Sequence, residues 1–168
     1  AALPQSNAIL RHLARQHALY GDGSLRQAAD VDVLLEAVES LRLPYVGLIY
    51  REQLAEAAKA AYVSMHLDRA TADLSRNGGA HFAYLEQYLE ASSGGEEAGG
   101  WAVGKQATVA DFAVYEVVDL HLRIFPEQIK KDYARLAAHH AMVAGLSGVR
   151  EYLASPRCLA QVNNNKLG

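Results

Sequence analysis

Two polar residues near the start of the chain have the types and the position of an anion-binding site. Gln5 and Ser6 stand directly before Asn7–Leu19, whose apolar residues recur at three- and four-residue steps and predict a helix. The first turn of a helix has unpaired N–H groups and a partial positive charge, so a carboxylate can bind there without a cationic side chain. The alternative is that Ser6 only caps the helix, a common role of serine at this position.

A second polar pair, Thr108 and Asp111, has the spacing of a capping box. Thr108 can accept a hydrogen bond from the backbone near Asp111, while the carboxylate of Asp111 reaches back to Thr108. Glu or Gln is the usual partner at the third position, so the shorter Asp makes this box unusual. Because such a reciprocal cap starts a helix, we predict a structural role for this pair and no catalytic one.

The other reactive residue types form no pattern of a metal or redox site. The seven histidines include one adjacent pair, His139 and His140, but successive helical residues point about 100° apart and are poor joint ligands. We therefore expect surface or partly buried histidines and no metal. The single cysteine, Cys158, excludes an internal disulfide, favours a cytosol-like compartment and has no histidine nearby in sequence to activate it.

Composition and charge indicate a folded globular protein. Hydrophobic residues make up 51% of the 168 residues, and the formal net charge of −3 gives no electrostatic reason to bind nucleic acid or an anionic membrane surface. No apolar segment reaches the roughly 20 residues that cross a bilayer. We expect neither a nucleic-acid partner nor a membrane span.

The elements that must position these residues are all helices. The apolar periodicity predicts a long helix from Ser24 to Tyr50, which Pro44 kinks but does not end. Further helices are predicted for Glu52–Leu74, Ala80–Ala91, Thr108–Phe125, Ile129–Leu146 and Val149–Ala154. No segment alternates as a strand does, so the sequence predicts an all-α multi-helix bundle.

The ends of these elements are read from shorter signals. Ser24 and Gln27 have the spacing of an S-x-x-Q capping box at the start of the long helix. The glycine-rich, acidic segment Ser92–Gly100 predicts a mobile loop. The polar segment Asn163–Lys166 predicts a frayed tail.

Four segments, in the same order along the chain, resemble the glutathione S-transferase family of the pi, sigma and mu kind. Val103–Asp111 follows the pattern V-G-x-x-x-[ST]-x-A-D, which is similar to the capping-box signature of the family's C-terminal domain. Leu3–Leu13 contains Q-S-x-x-I-L-R-x-L and resembles the segment that closes the family's glutathione-binding domain. Tyr152–Pro156 resembles the family's C-terminal close, and Leu48–Tyr50 favours the pi-like branch.

The resemblance implies the fold of a transferase C-terminal helical domain for residues 24–168. It implies that residues 1–20 hold the last helix of a thioredoxin-like domain that is otherwise missing. Gln5 and Ser6 would then hold the γ-glutamyl carboxylate of glutathione, and Tyr50 would face the electrophile-binding cleft. The pattern alone describes Tyr50 as an aromatic residue on an apolar stripe, and both interpretations stay open.

The activity implied by the resemblance is detoxifying conjugation of glutathione to electrophilic substrates. A cytoplasmic homodimer would form through the long helix from Ser24 to Tyr50. No residue matches the family's thiol activator, so the chain alone is not expected to be active.

Two other hypotheses remain. The first is a non-catalytic transferase-like module that serves as a structural or docking subunit of a larger assembly. It is compatible with Ser40, which stands where pi-like subunits lend an acidic residue to the partner's glutathione, so that only neighbouring Glu39 could substitute. The second is a dehalogenase-like or isomerase-like relative, because a fold does not fix a reaction.

Overall fold

The described part of the protein is a bundle of helices joined by loops. A computed structural model describes residues 2–71, 81–92 and 99–168, and these ranges contain no β-strand, which confirms the predicted all-α class. The described α-helices are α1 (Ser6–Gln16), α2 (Leu25–Val46), α3 (Glu56–Tyr62), α4 (His81–Ser92), α5 (Val109–Ile124), α6 (Pro126–Asp132), α7 (Ala134–Gly145) and α8 (Ser147–Leu153). A first π turn (Gly47–Arg51) follows α2, and a second (Val63–Leu67) follows α3, before the 3-10 turn Arg69–Thr71.

Helices α2 and α5 form the centre of the bundle, and α7 packs on the other side of α5. The buried residues of α2 recur at helical spacing, as the sequence predicts, and include Val31, Leu34, Leu35, Val38 and Leu41. The facing side chains of α5 include Ala110, Val114, Val117 and Val118, which are fully buried. Each fully buried Val or Leu contributes roughly 1.5–3 kcal/mol of hydrophobic stabilisation, so this contact dominates the core.

Helix α1 is held against the first half of α2 by Arg11. The Arg11 Nε pairs with the carboxylate of Asp32 and its Nη2 pairs with that of Glu36, both at 2.6 Å. Shortly after the end of α1, the carbonyl of Leu19 accepts a hydrogen bond from the backbone N–H of Val109, the first residue of α5, at 2.8 Å. The N-terminal helix is thus joined to both central helices.

The long helix continues through Pro44, as predicted, but it then widens into the first π turn. The helix survives because Pro44 removes only one donor, and the N–H of Gly47 still bonds to the carbonyls of Leu43 and Pro44. The chain leaves the helix at Gln53 and Leu54, whose φ angles of 48° and 56° lie in the left-handed region.

The predicted single helix Glu52–Leu74 is wrong over its described part. Helix α3 begins only at Glu56, after the left-handed residues, and the second π turn ends at Leu67. Asp68 is extended, with φ −80° and ψ 111°, and its carboxylate accepts a hydrogen bond from the N–H of Ala70 at 2.9 Å. Such a local bond competes with the helical backbone pattern. Residues 72–74 lie outside the described residues.

The predicted single helix Ile129–Leu146 is also wrong, because the chain breaks at Tyr133 into α6 and α7. Tyr133 has φ −133° and ψ 57° and its side chain is fully buried. Buried Glu86, on α4, accepts from the backbone N–H groups of Arg135 and Leu136 at 3.0 and 2.8 Å. A carboxylate from another helix therefore satisfies the open donors at the start of α7.

The capping box predicted at the start of α2 is only half formed. The Ser24 hydroxyl accepts from the N–H of Gln27 at 3.2 Å, but the Gln27 side chain bonds Asp22 instead. The same side chain packs against Gly104, where an added Cβ would come within 2.8 Å of its amide oxygen. This close approach explains the glycine at position 104, whose φ is +67°. Of the predicted loop Ser92–Gly100, residues 93–98 lie outside the described residues.

Three histidines are buried, contrary to the expectation of surface or partly buried ones. His121 donates from Nδ1 to a backbone carbonyl one turn earlier at 2.6 Å, so its Nε2 accepts from the Tyr62 hydroxyl at 2.7 Å. His66 contacts His81 through their Nδ1 atoms at 2.8 Å. Burial lowers the pKa of His66 and of His121 to about 4. His139, the third, contacts the buried capping pair.

Replacing Glu86 by glutamine should destabilise the protein. The Glu86→Gln variant loses one of the two acceptor oxygens at the start of α7, and an unpaired buried N–H costs about 1–3 kcal/mol. We expect a loss of about 2 kcal/mol in the free energy of unfolding, measured by urea denaturation. Glu90→Gln, at an exposed position of the same helix, serves as the matched control. Equal stability of the two variants would contradict the capping role.

Stability should fall in mild acid because two buried histidines, His66 and His121, fold in their neutral form. Their native pKa lies below the unfolded value near 6.5, so below that pH the unfolded state binds more protons. Their contribution is complete above about pH 6.5 and is lost as the pH falls towards about 4. Urea midpoints measured across this range should decline less in His121→Gln than in His12→Gln, because His12 is exposed. A midpoint independent of pH would disprove this account.

Candidate functional site

The first π turn brings two tyrosines to the same side of the long helix. Residues five apart on an α-helix point about 140° apart, which would separate Tyr45 from Tyr50. A π turn closes with bonds between residues five apart and therefore brings such residues back to one face. The N–H of Glu52 makes this bond to the carbonyl of Gly47 at 3.0 Å. Both tyrosines consequently line one cavity.

This cavity, which we name the tyrosine cavity, lies between the end of α2, helix α5 and the C-terminal tail. It has a volume of about 290 Å³, which is near the lower limit of small-molecule sites. Its lining combines aromatic rings with charged side chains: Arg42, Tyr45, Tyr50, Tyr115, Glu116 and Asp119. The apolar part of the lining consists of Val46, Leu120 and Val162.

The tail closes the tyrosine cavity, so the predicted fraying of Asn163–Lys166 is wrong. Asn163 is buried, and its Nδ2 donates to the Tyr45 hydroxyl at 3.1 Å. The backbone N–H of Asn164 donates to the Tyr50 hydroxyl at 3.2 Å. Polar residues fray when water is their best partner, but here the hydroxyls and carbonyls at the end of α2 replace water.

The next residues extend the attachment. The Nδ2 of Asn165 donates to the carbonyl of Ile49 in the first π turn at 2.9 Å. Asn163 also donates to the carbonyl of Leu167 at 2.7 Å, which folds the tail back on itself. The consecutive asparagines thus hold the tail to the helix through several hydrogen bonds.

The hydroxyls of Tyr45 and Tyr50 are available as donors. Each accepts a hydrogen bond from the tail, and a hydroxyl that accepts still has its own hydrogen to give. Among the described residues, neither hydrogen has an acceptor. Burial raises the pKa of Tyr45, so its hydroxyl stays protonated at neutral pH. Tyr45 and Tyr50 can therefore donate to an oxygen atom of a bound molecule.

The charged wall of the cavity is centred on Arg42. Its Nη1 pairs with Oε1 of Glu116 at 2.8 Å, and its Nε pairs with Glu39 at 3.2 Å. The hydrogen bond to Glu116 raises the pKa of Arg42. The second oxygen of Glu116, Oε2, is shielded from solvent and has no hydrogen-bond partner in the described part of the chain.

Asp119, one turn further along α5, is paired on both oxygens. His140 contacts its Oδ1 at 3.1 Å and Arg123 contacts its Oδ2 at 3.1 Å. The bond from His140, followed by that from Arg123, lowers the pKa of Asp119. The His140 ring also stacks on Tyr115, with 4.6 Å between centroids and 9° between planes. This stack fixes the orientation of the Tyr115 ring.

Tyr50 also borders a second, larger and more open groove of about 830 Å³. Both π turns contribute to its lining, which is mainly apolar and includes Met65 and His66. The 44% exposure of Tyr50 reflects its place between the two spaces.

Gln5 and Ser6 lie at the exposed start of α1. Ser6 is the first helical residue and not the cap, because Gln5 occupies the capping position with a left-handed φ of 73°. No side chain caps the helix, and its first turn contains no acidic residue. The first N–H groups of α1 therefore have no side-chain acceptor among the described residues, which is the arrangement that an anion requires.

The structure does not bring these residues together with Tyr50. Arg11, one and a half turns after Ser6, contacts Asp32 and Glu36 in the first half of α2. Tyr50 lies beyond the other end of that helix, about 20 Å along the axis from Glu36. No described hydrogen bond or ion pair connects the two predicted parts of the site.

Thr108 and Asp111 form the capping box, and the carboxylate of Asp111 has no acceptor position left for a ligand. Asp111 is completely buried, and its Oδ2 accepts from the N–H of Thr108 at 2.7 Å and from the Thr108 hydroxyl at 3.0 Å. Its Oδ1 accepts from the N–H of Ala102 at 2.7 Å and from Nε2 of His139 at 2.9 Å. All four acceptor positions of the carboxylate are thus used.

The described residues form neither a cluster of metal ligands nor a membrane-spanning helix. Across residues 2–71, 81–92 and 99–168, no three His, Cys, Asp or Glu side chains converge as metal ligands. In the same ranges no helix is both long enough and apolar enough to cross a bilayer. Cys158 is half-buried and forms no disulfide.

Sequence reasoning missed Tyr45, Glu116 and Asp119. Tyr45 belongs to the apolar stripe of α2, and helical spacing places it apart from Tyr50. The proline three residues before the first π turn was the available signal of an irregular helix, but it did not indicate which way the next residues would rotate.

Comparison with known proteins identifies the family. The model of the glutathione S-transferase C-terminal domain matches residues 39–156. The chain belongs to the glutathione S-transferase family. Among its relatives, glutathione S-transferase P of Bos taurus is 33% identical over 97% of this chain and 69% of its own length. Glutathione S-transferase Mu 5 of Rattus norvegicus is 27% identical over 98% of this chain and 64% of its own length.

Solved structures agree with this assignment. The pi-class glutathione S-transferase of Onchocerca volvulus superposes with a TM-score of 0.78 at 25% identity. The match covers 99% of this chain and 72% of that one. This chain therefore spans about two thirds of the length of its relatives.

The tail asparagines should differ in importance although they are neighbours. Asn163→Ala removes the side chain that bonds Tyr45 and Leu167, whereas Asn164→Ala keeps the backbone N–H that bonds Tyr50. We expect amide hydrogen exchange in residues 163–168 to accelerate at least tenfold in Asn163→Ala and to change little in Asn164→Ala. Exchange that is already unprotected in the wild-type protein would rule out the attached tail.

Proposed function

We propose that the protein acts in glutathione conjugation, in which the glutathione thiolate attacks an electrophilic substrate. The observation that carries this proposal is the alignment of 97% of the chain with a relative named glutathione S-transferase P. The tyrosine cavity, with hydroxyl donors and aromatic rings, supports a role of this part of the protein in holding the electrophile. The activation of the thiol is assigned to a group outside this chain, because no residue here matches the family's activator.

Glutathione is proposed to bind at Gln5 and Ser6. The uncapped start of α1 offers backbone N–H groups and the positive end of an 11-residue helix, and both favour a carboxylate. The left-handed backbone of Gln5 supports this role, because such strain in a non-glycine residue is often retained at functional sites. The γ-glutamyl carboxylate of glutathione is the group proposed to bind there.

The exposed side of α1 supports the proposed domain organisation. Leu3, Ile9 and Leu13 are 48%, 40% and 46% exposed, whereas Ala14 is buried against the bundle. An exposed apolar face of this kind is typical of a surface that packs against another domain. We assign residues 1–20 to the last helix of a thioredoxin-like, glutathione-binding domain, and residues 24–168 to the helical C-terminal domain.

Tyr50 is proposed to contact the electrophile. Its hydroxyl, held by the N–H of Asn164, can donate to an oxygen that gains negative charge as the thiolate adds. Such a donor accelerates the reaction only if it bonds the transition state more strongly than the substrate.

The partner is proposed to be a second copy, which associates through the long helix from Ser24 to Tyr50. Val33, Leu43 and Val46 are exposed on this helix, by 51%, 67% and 44%, and could pack against a partner helix. A cytoplasmic role in detoxification is consistent with the single, unpaired cysteine.

The decisive experiment is a conjugation assay of the intact gene product with glutathione and a generic aryl halide. We expect turnover, and we expect Ser6→Ala to raise the KM for glutathione several-fold. Tyr50→Phe should lower kcat for an α,β-unsaturated carbonyl substrate about tenfold and leave that KM unchanged.

Tyr152→Phe is the control for these variants, because Tyr152 is an exposed tyrosine on α8, away from the cavity lining. Absence of turnover in correctly folded, full-length protein would reject the enzymatic proposal and leave the docking-subunit hypothesis.

A further inference from the structure

We infer that the tyrosine cavity binds a small organic cation, whose primary ammonium group donates to the carboxylate of Glu116. Three features of the cavity lead to this ligand: its charge balance, an unfilled acceptor and its aromatic lining. This inference rests on the proposed function in one respect: the electrophilic substrate would carry the ammonium group. The binding itself does not depend on glutathione chemistry.

The charge balance of the wall is negative. Arg42 in the wall is shared by Glu116, which also lines the cavity, and by Glu39, which pairs with Arg42 from outside the lining, so this group has a formal surplus of one negative charge. Asp119 does not reverse this balance, because its partner Arg123 only neutralises it. A positively charged ligand restores neutrality, whereas an anion would add to the repulsion.

The unfilled acceptor is Oε2 of Glu116. Arg42 occupies the other oxygen at 2.8 Å, and the solvent-shielded Oε2 finds no donor among the residues that the structure describes. Buried carboxylate oxygens are normally hydrogen-bonded, so a ligand with an N–H group gains a charge-assisted bond when the half-exposed Glu116 side chain turns this oxygen towards the cavity. This requirement favours a primary ammonium group over a quaternary one, which has no N–H.

The aromatic lining is suited to the same charge. Tyr45, Tyr50 and Tyr115 contribute their rings to the cavity, and the faces of aromatic rings attract cations. The stack on His140 holds the Tyr115 ring in place. With about 290 Å³, the cavity has room for a single substituted ring or a short alkyl chain, and not for a peptide.

The inference is tested by equilibrium binding of three small probes to the purified protein. Isothermal titration at neutral pH would compare benzylammonium, benzyltrimethylammonium and benzyl alcohol. We expect benzylammonium to bind about tenfold more tightly than benzyl alcohol, with benzyltrimethylammonium in between. Equal affinities for the three probes, or no binding of any of them, would overturn the inference without any mutation.

Glu116→Gln provides the second test. Glutamine keeps an acceptor for Arg42 but replaces the free oxygen by an amide donor, so the preference for benzylammonium over benzyl alcohol should disappear. Glu127→Gln, at an exposed position of α6, is the matched control and should retain the preference. Far-UV circular dichroism establishes that both variants are folded. A preference that survives in folded Glu116→Gln would assign the cation to another place.

The two proposals fail separately. Cation binding that depends on Glu116, in a protein that does not conjugate glutathione, would retain this inference and reject the enzymatic function. Glutathione conjugation by a protein that shows no preference for the cation would retain the enzymatic function and reject this inference.

Discussion

The four hydrogen bonds accepted by the buried carboxylate of Asp111 fix the centre of the bundle. Two come from Thr108 and set where α5 begins, one comes from Ala102 in the preceding loop, and one comes from His139 and joins α7 to α5. A buried carboxylate that loses its donors costs several kcal/mol, so α5 cannot change its start without breaking this group. Because α2 packs along α5, the position of the tyrosine cavity depends on the same carboxylate.

The cavity itself results from an irregularity in α2. A regular helix would direct Tyr45 and Tyr50 to different sides, and only one of them could then meet the tail. The first π turn removes that separation, and the asparagines of the tail bond both hydroxyls and the carbonyl of Ile49. The irregular backbone and the attached tail therefore support each other, which accounts for an ordered tail of polar residues.

Membership of the glutathione S-transferase family describes the scaffold more fully than it describes the chemistry. The uncapped start of α1 and the tyrosine cavity lie at different places in the chain, and no described contact connects them. A molecule that reacts with glutathione would have to extend between the two regions, with another domain to complete the first. Under the proposed function, the helical domain would select the electrophile, and the charges around Arg42 and Glu116 would be its means of selection.

The sequence by itself determined the helical class, the buried stripe of α2, the passage of α2 through Pro44, and the capping pair at Thr108. These features depend on residues a few positions apart, which helical periodicity and capping patterns describe. The tertiary structure alone decided the break at Tyr133, the attachment of the tail and the approach of Glu116 to Arg42. Each of these depends on groups that are distant in sequence, such as the carboxylate of Glu86 at the start of α7. No local pattern encodes such a partner, because its hydrogen bonds form only after the helices have packed.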